Sequence, residues 1–273
     1  CIAESSLQTC LVTKTGTIVP AYRREFYLPD ERACSSVIAI AAFTRSYLVE
    51  TYRLPADKVT LIYQGVDLRR FRPAPTLREE TRRRYPLPPG ASPVLACVGS
   101  FEPRKGQTVL LEAVAALPDA HLLLVGDGPD ETRLRATVER LGLAERVHFF
   151  PFTAAPEYVF ARADITVLPS LRKEGLPNVL LESLALGVPV VASRLGGVGE
   201  IVLDGETGYM VAPGDTVGLV DAIRRLWGDR AAYARMSERA RRLIAERFDR
   251  KVQFERFLEF LRAVHDRATG GHP

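Results

Sequence analysis

From residue 94 onward, short apolar runs alternate with stretches of helical spacing. Val94-Leu-Ala-Cys-Val98 is an apolar run closed by Gly99 and predicts a buried strand, followed by a helix over Thr108 to Leu117. His121-Leu-Leu-Leu-Val125, closed by Gly126-Asp-Gly-Pro129, predicts the next strand, and Glu131 to Leu141 a helix ended by Gly142. The same alternation predicts strands at Arg146–Phe149, Asp164–Leu168, Val188–Ala192 and Tyr209–Val211. Helices are predicted at Glu157–Arg162, Asn178–Leu186 and Thr216–Trp227. Near-continuous apolar strands between helices require a parallel sheet covered on both faces, hence an α/β doubly wound domain.

The first sixty-odd residues carry fewer elements. Ser36–Ile40 and Val59–Tyr63 read as strands and Thr44–Tyr52 as a helix. That is too little for a full domain of this class, so residues 1–66 are expected to be the tail of an upstream Rossmann-like domain. The chain also starts at Cys1 rather than Met, which fits a fragment of something longer. Five prolines between Pro73 and Pro89 mark a connection, residues 67–92, with a short helix at Leu77–Tyr85. Residues 67–249 then form one domain including that connection. The Arg- and Glu-rich stretch Ala231–Val264 has helical spacing at Phe254, Phe257, Leu258 and Leu261.

Composition narrows the class. In 273 residues no apolar run reaches the ~20 residues of a membrane span, and no secretory segment opens the chain. A formal charge of +4 does not argue for nucleic acid. Arginines cluster in Leu68–Pro73 and at Arg82, Arg83 and Arg84; these read as a solvated linker and helix face, with contact to an anionic membrane surface as the alternative. Cys1, Cys10, Cys34 and Cys97 lack metal-ligand spacing, and Cys97 reads as a core residue. This usage suits a reducing, cytoplasmic setting.

Ligands of such sheets bind beyond the carboxyl ends of the strands, and the unusual residues fall there. Glu174 sits in a loop that runs through Gly175, Leu176 and Pro177 into a helix carrying Glu182. The first amides of that helix, with the positive end of its dipole, make an anion site, and the two acids flank it as hydroxyl acceptors. Gly99-Ser100-Phe101-Glu102-Pro103-Arg104-Lys105-Gly106 offers a cation before a helix but is neither a P-loop nor a dinucleotide fingerprint. Gly126–Pro129 reads as a tight turn or a ligand loop. In Gly196-Gly-Val-Gly-Glu200 the glycines permit close approach, and Glu200 reads as a solvated acid or as part of the site.

In order, the chain carries IYQGVDLRRFRP (62–73), VGSFEPRKG (98–106), LVGDGP (124–129), EGLPNVLLESLALGVPVVAS (174–193) and GGVGEIV (196–202). Together these resemble the motifs of retaining GT-B glycosyltransferases of family 4, also called group 1, over roughly residues 36–250. The resemblance implies a GT-B fold with one complete Rossmann-like domain, residues 250–273 crossing back to the N-terminal domain, and transfer from a nucleotide-sugar without metal or cofactor. It implies that Lys105 contacts the diphosphate and that Glu174 holds sugar hydroxyls near the anomeric carbon. Backbone from Gly175 to Asn178, with Val179, cradles phosphate; Glu182 holds the ribose. Gly99, Gly126 and the strand end with Phe152 and Thr153 complete the donor site. The acceptor is expected to be a glycan, lipid or small molecule, which brings in peripheral contact with the inner face of a membrane. Two departures stand out. Ser100 replaces a frequent arginine, for which Arg104 is the candidate substitute, and Thr15 occupies a slot that often holds histidine. A non-catalytic nucleotide-sugar-binding fragment is therefore the second reading, and a related sugar-nucleotide epimerase a third.

Overall fold

The computed structural model describes residues 12–15 and 36–268. Six strands, β4 (Val94–Val98), β5 (His121–Val125), β6 (Val147–Phe150), β7 (Ile165–Leu168), β8 (Val190–Ser193) and β9 (Gly208–Val211), form one sheet in the order β6-β5-β4-β7-β8-β9. Every pairing in it is parallel. Alternation along each strand feeds two cores, because successive side chains point to opposite faces. Leu95, Cys97, Leu122 and Leu124 meet α3 (Gln107–Ala115), α4 (Glu131–Arg140) and α7 (Thr216–Gly228). Ala96, Leu123 and Val125 meet α5 (Glu157–Arg162), α6 (Asn178–Ala185) and α8 (Arg230–Arg247). The predicted doubly wound domain is thus present, with element ends displaced by a residue or two.

The sheet reverses direction of winding between β4 and β7. The loops that leave these adjacent strands diverge to opposite faces and open a crevice at their carboxyl ends. The loop after β4 carries Gly99 to Gly106 and the loop after β7 carries Pro169 to Pro177. Cys97 lies fully inside the core, and burial pushes its thiol up to about 12.

A second parallel sheet has the order β1-β2-β3, from β1 (Val12–Thr15), β2 (Ser36–Ala39) and β3 (Val59–Leu61). Helix α1 (Ala42–Glu50) follows β2, and a small core of Val37, Leu48, Tyr52 and Val59 holds the unit together. Thr15 ends β1; Cys1, Cys10, Cys34 and most of residues 1–35 lie outside the described residues, as do 269–273. In the connection, α2 (Pro75–Arg84) packs on α5: Tyr85 stacks edge-on with Phe150, and Arg84 lies over the Tyr158 ring.

The helical stretch Ala231–Val264 falls in two helices, α8 and α9 (Arg250–Ala268). Val66 forms a parallel bridge to Asp249, donating to the Phe248 carbonyl at 2.8 Å and accepting from the Arg250 amide at 3.0 Å. A bridge needs extended backbone, so the helix is interrupted there. Phe248 is completely buried beside Tyr63 and anchors the break. On α9, Phe254 is 57% exposed while Phe257 and Leu261 are half-buried.

At the opposite end of the sheet from the crevice, His121 and His148 approach to 3.2 Å between ring nitrogens, with nearly parallel rings. Burial, chiefly, holds both below the usual histidine range; Arg146 and Arg162 push His121 down further, and His121 and Arg162 do the same to His148. Depressed folded values mean that the pair favours folding above about pH 6.5, and that this contribution disappears as pH falls through the folded values. Thermal melts between about pH 7 and 5 should therefore show a steeper loss for the wild type than for His148→Gln, a difference on the order of 2 °C. Parallel curves would exclude the pair as an acid-sensitive element.

Candidate functional site

The mouth of the crevice is built by two loops from adjacent strands. After β4, Gly99 donates to the Val125 carbonyl at 3.0 Å, and Gly126 after β5 donates to the Phe150 carbonyl at 3.0 Å, so both sit at strand ends facing the crevice. The chain then makes a 3-10 turn at Pro103–Lys105 before α3. From the loop after β7, Lys173 takes φ +62, a left-handed conformation that a non-glycine residue adopts at a cost of about 1 kcal/mol. The turn swings Glu174 inward.

Lys105 and Glu174, 69 residues apart, meet there. Lys105 Nζ lies 2.6 Å from Glu174 Oε1, and Ser170 Oγ donates to the same oxygen at 2.6 Å. The Glu174 side chain is 7% exposed and Lys105 19%. A nearly buried carboxylate with one cation and one hydroxyl is compensated but keeps its second oxygen available. Beside it, α6 starts with no side-chain cap at Pro177. Among the described residues, the amides of Asn178 and Val179 have no protein acceptor. Leu176 and Pro177 are buried, so this stretch offers backbone rather than side chains; Val179 is half-buried. The Lys105 cation on Glu174 and, four residues further on, the open amides and dipole of the α6 start together supply the electrostatics of a phosphate site.

Gly196 and Gly197 hold this loop from behind. Gly197 donates to the Gly175 carbonyl at 2.9 Å. Gly196 has φ +50, and a Cβ on it would stand 1.8 Å from the Glu174 carbonyl oxygen. Only glycine permits that approach.

One turn into α6, Glu182 faces a cavity of about 510 Å³ that is also lined by Asn178, Arg70, Gln64, Gln253 and Phe257. Burial pushes its carboxyl up to about 7; Arg70 pulls it down and Glu157 pushes it up. Arg70 is itself held by Glu157 at 2.6 Å and by the Ala154 carbonyl. It is exposed, as a linker residue would be, yet held in place by these contacts. The LRRFRP segment pointed to it, but only the fold places it beside Glu182.

Ser100 and Arg104 are brought together by a residue the sequence did not single out. Ser100 donates to Glu102 Oε1 at 2.6 Å, and Arg104 Nε lies 2.7 Å from Glu102 Oε2. Arg104 is thus already neutralised, by an acid two positions away. At the far rim Phe152 is 70% exposed, and Thr153 accepts from the Ala155 amide at 3.0 Å within a turn. Of the two readings of Glu200, a purely solvated acid does not hold: its two oxygens accept from the Ala42 and Phe43 amides.

Residues 78–243 match the family model described as "Glycosyl transferases group 1". The chain is 35% identical over 238 residues to a GDP-mannose-dependent alpha-(1-6)-phosphatidylinositol monomannoside mannosyltransferase of Mycolicibacterium smegmatis, covering 82% of this chain and 61% of that protein. It is 36% identical over 173 residues to the lipopolysaccharide core biosynthesis glycosyltransferase LpsE of Rhizobium meliloti, covering 63% and 51%. Among solved structures, Anabaena HepE in complex with UDP and glucose superposes with a TM-score of 0.85 at 25% identity, covering 92% of this chain and 70% of that one. The chain thus spans between about half and three fifths of the length of these two curated relatives.

Proposed function

Because the chain belongs to the group 1 glycosyl transferases, we propose that it binds a nucleotide-sugar and passes the sugar to an acceptor hydroxyl with retained anomeric configuration. The fold is of the GT-B type. The observation that carries the reading is the Lys105–Glu174 pair beside the open start of α6. In this reading Lys105 and the amides at Gly175–Asn178 take the diphosphate. Glu174 uses its free oxygen for sugar hydroxyls, and Glu182 takes the ribose. Phe152 and Thr153, with Gly99 and Gly126, flank the nucleoside end. Residues 67–249 serve as the donor domain, and the three-stranded unit lies on the acceptor side.

The acceptor hydroxyl attacks the anomeric carbon on the face from which the diphosphate leaves. The carbon–phosphate-oxygen bond breaks, the new glycosidic bond forms, and the hydroxyl proton passes to the departing phosphate. Lys105 and the helix dipole stabilise the charge that develops. No protein nucleophile is required, and neither metal nor cofactor is assigned a role. The names of the two relatives above refer to a phosphatidylinositol monomannoside and to lipopolysaccharide core, which supports a lipid-linked acceptor. Among the described residues no helix is long and apolar enough to cross a membrane.

Calorimetry with GDP, UDP and ADP tests the donor site. Glu182→Ala should weaken the preferred nucleotide by about 10- to 150-fold, the worth of a charged hydrogen bond to hydroxyls. The free protein favours a neutral Glu182 and loses that contribution as pH rises through about 7. Ribose hydroxyls favour the ionised form, so wild-type affinity should rise across pH 6 to 8 more steeply than that of Glu182→Gln. Identical profiles would remove Glu182 from the site. A second reading, donor binding without transfer, rests on Ser100 and Arg104 being engaged by Glu102. Donor bound tightly, with neither hydrolysis nor transfer in a chain extended upstream, would favour it.

A further inference from the structure

Helix α1 begins without a cap of its own. Its N-cap is Ala41, and the first turn contains no acid. Its first two amides are satisfied from 158 and 157 residues away: Ala42 donates to Glu200 Oε2 at 2.8 Å and Phe43 to Glu200 Oε1 at 2.9 Å. A carboxylate with both oxygens on amides at the positive end of a helix is a strong, directional cap. Tyr63, two residues after β3, lies near Glu200 as well; burial first and then Glu200 raise its pKa.

Glu200 closes the 3-10 turn Gly196–Glu200, whose other end holds the phosphate loop. The Gly197 amide is bonded to the Gly175 carbonyl, and Gly196 lies hard against the Glu174 carbonyl. A Cβ on Gly197 would stand 3.2 Å from the Ala41 side chain. One five-residue turn therefore touches α1 on one side and Glu174–Gly175 on the other.

We infer that Glu200 is a positioning residue: by capping α1 it ties the three-stranded unit to the loop that presents Glu174, so that the seating of one sets the geometry of the other. The consequence for affinity rests on the donor-site reading above; the mechanical tie does not. It predicts that nucleotide binding slows hydrogen exchange in α1, and that loosening α1 loosens the phosphate loop.

Amide exchange followed by NMR on the whole chain tests the tie without ligand. In Glu200→Gln, which keeps the shape but loses the charge and one acceptor, Ala42 and Phe43 should exchange at least about tenfold faster. Gly197 should follow by several-fold, with the core amides of Leu123 and Val125 unchanged. Glu200→Asp, one methylene shorter, should give the same pattern and serves if the glutamine variant folds poorly. Faster exchange confined to Ala42 and Phe43, or no change at all, overturns the inference. In parallel, calorimetry with GDP and UDP should show about tenfold weaker binding in Glu200→Gln. Wild-type protein that binds neither nucleotide would instead sink the donor-site reading, leaving the exchange result to decide the tie.

Discussion

Replacing Lys105 with alanine should lower kcat/KM for the proposed sugar transfer by about 100- to 1000-fold, the range found when one preorganised electrostatic contact to a developing charge is removed. The same change strips Glu174 of its cation. With Glu174 only 7% exposed and Ser170 as its remaining partner, an uncompensated buried carboxylate should destabilise the fold by about 3 kcal/mol. The two effects separate in a double-mutant cycle. Glu174→Gln in the Lys105→Ala background removes the buried charge, so the urea midpoint should recover while activity should not. Recovery of neither would mean that Lys105 supports the fold by packing. A Lys105→Ala protein with normal turnover would dismiss the diphosphate role.

Gly196→Ala should be nearly as damaging, from a position that touches no substrate. The added carbon would stand 1.8 Å from the Glu174 carbonyl oxygen, and the residue sits at φ +50. Strain and overpacking together should cost about 2–4 kcal/mol. Relief comes by pushing the Glu174–Gly175 backbone away, which misplaces the proposed sugar and phosphate contacts and should weaken nucleotide binding by about 10- to 100-fold. Gly205→Ala is the control, since Gly205 has φ +79 but open space around its Cβ position. It should lose about 1 kcal/mol and no affinity. Equal losses of affinity in both variants would mean that the loop position is not what matters.

Both predictions concern contacts between residues far apart in the chain, and that is where reading the sequence reached its limit. The apolar runs at Val94–Val98 and His121–Val125 appear in the structure with the same bounds. Each is a buried strand that must be apolar throughout and must stop where glycine turns the chain. Glu157–Arg162 is likewise unchanged. The cause of the break between α8 and α9, a bridge from Val66 to Asp249, is a contact between distant residues that local pattern does not carry. The partners of Arg70 and Glu200 were hidden for a related reason. A charged residue in a linker or loop has the same local signature whether it meets water or a partner, and their partners are Glu157 and the α1 amides.

Local pattern was therefore enough for the α/β class, the strand ends and the presence of a cation-bearing loop and an acid-bearing loop, because apolar periodicity and glycine placement are properties of neighbouring residues. That Lys105 and Glu174 meet directly followed from the order of the strands, whereas Arg104 turns to Glu102 within its own loop. Parallel strands β4 and β7 become neighbours only when the sheet is wound outward in both directions from β4. Burial then leaves each carboxylate to whichever cation or amide the assembled crevice brings within reach.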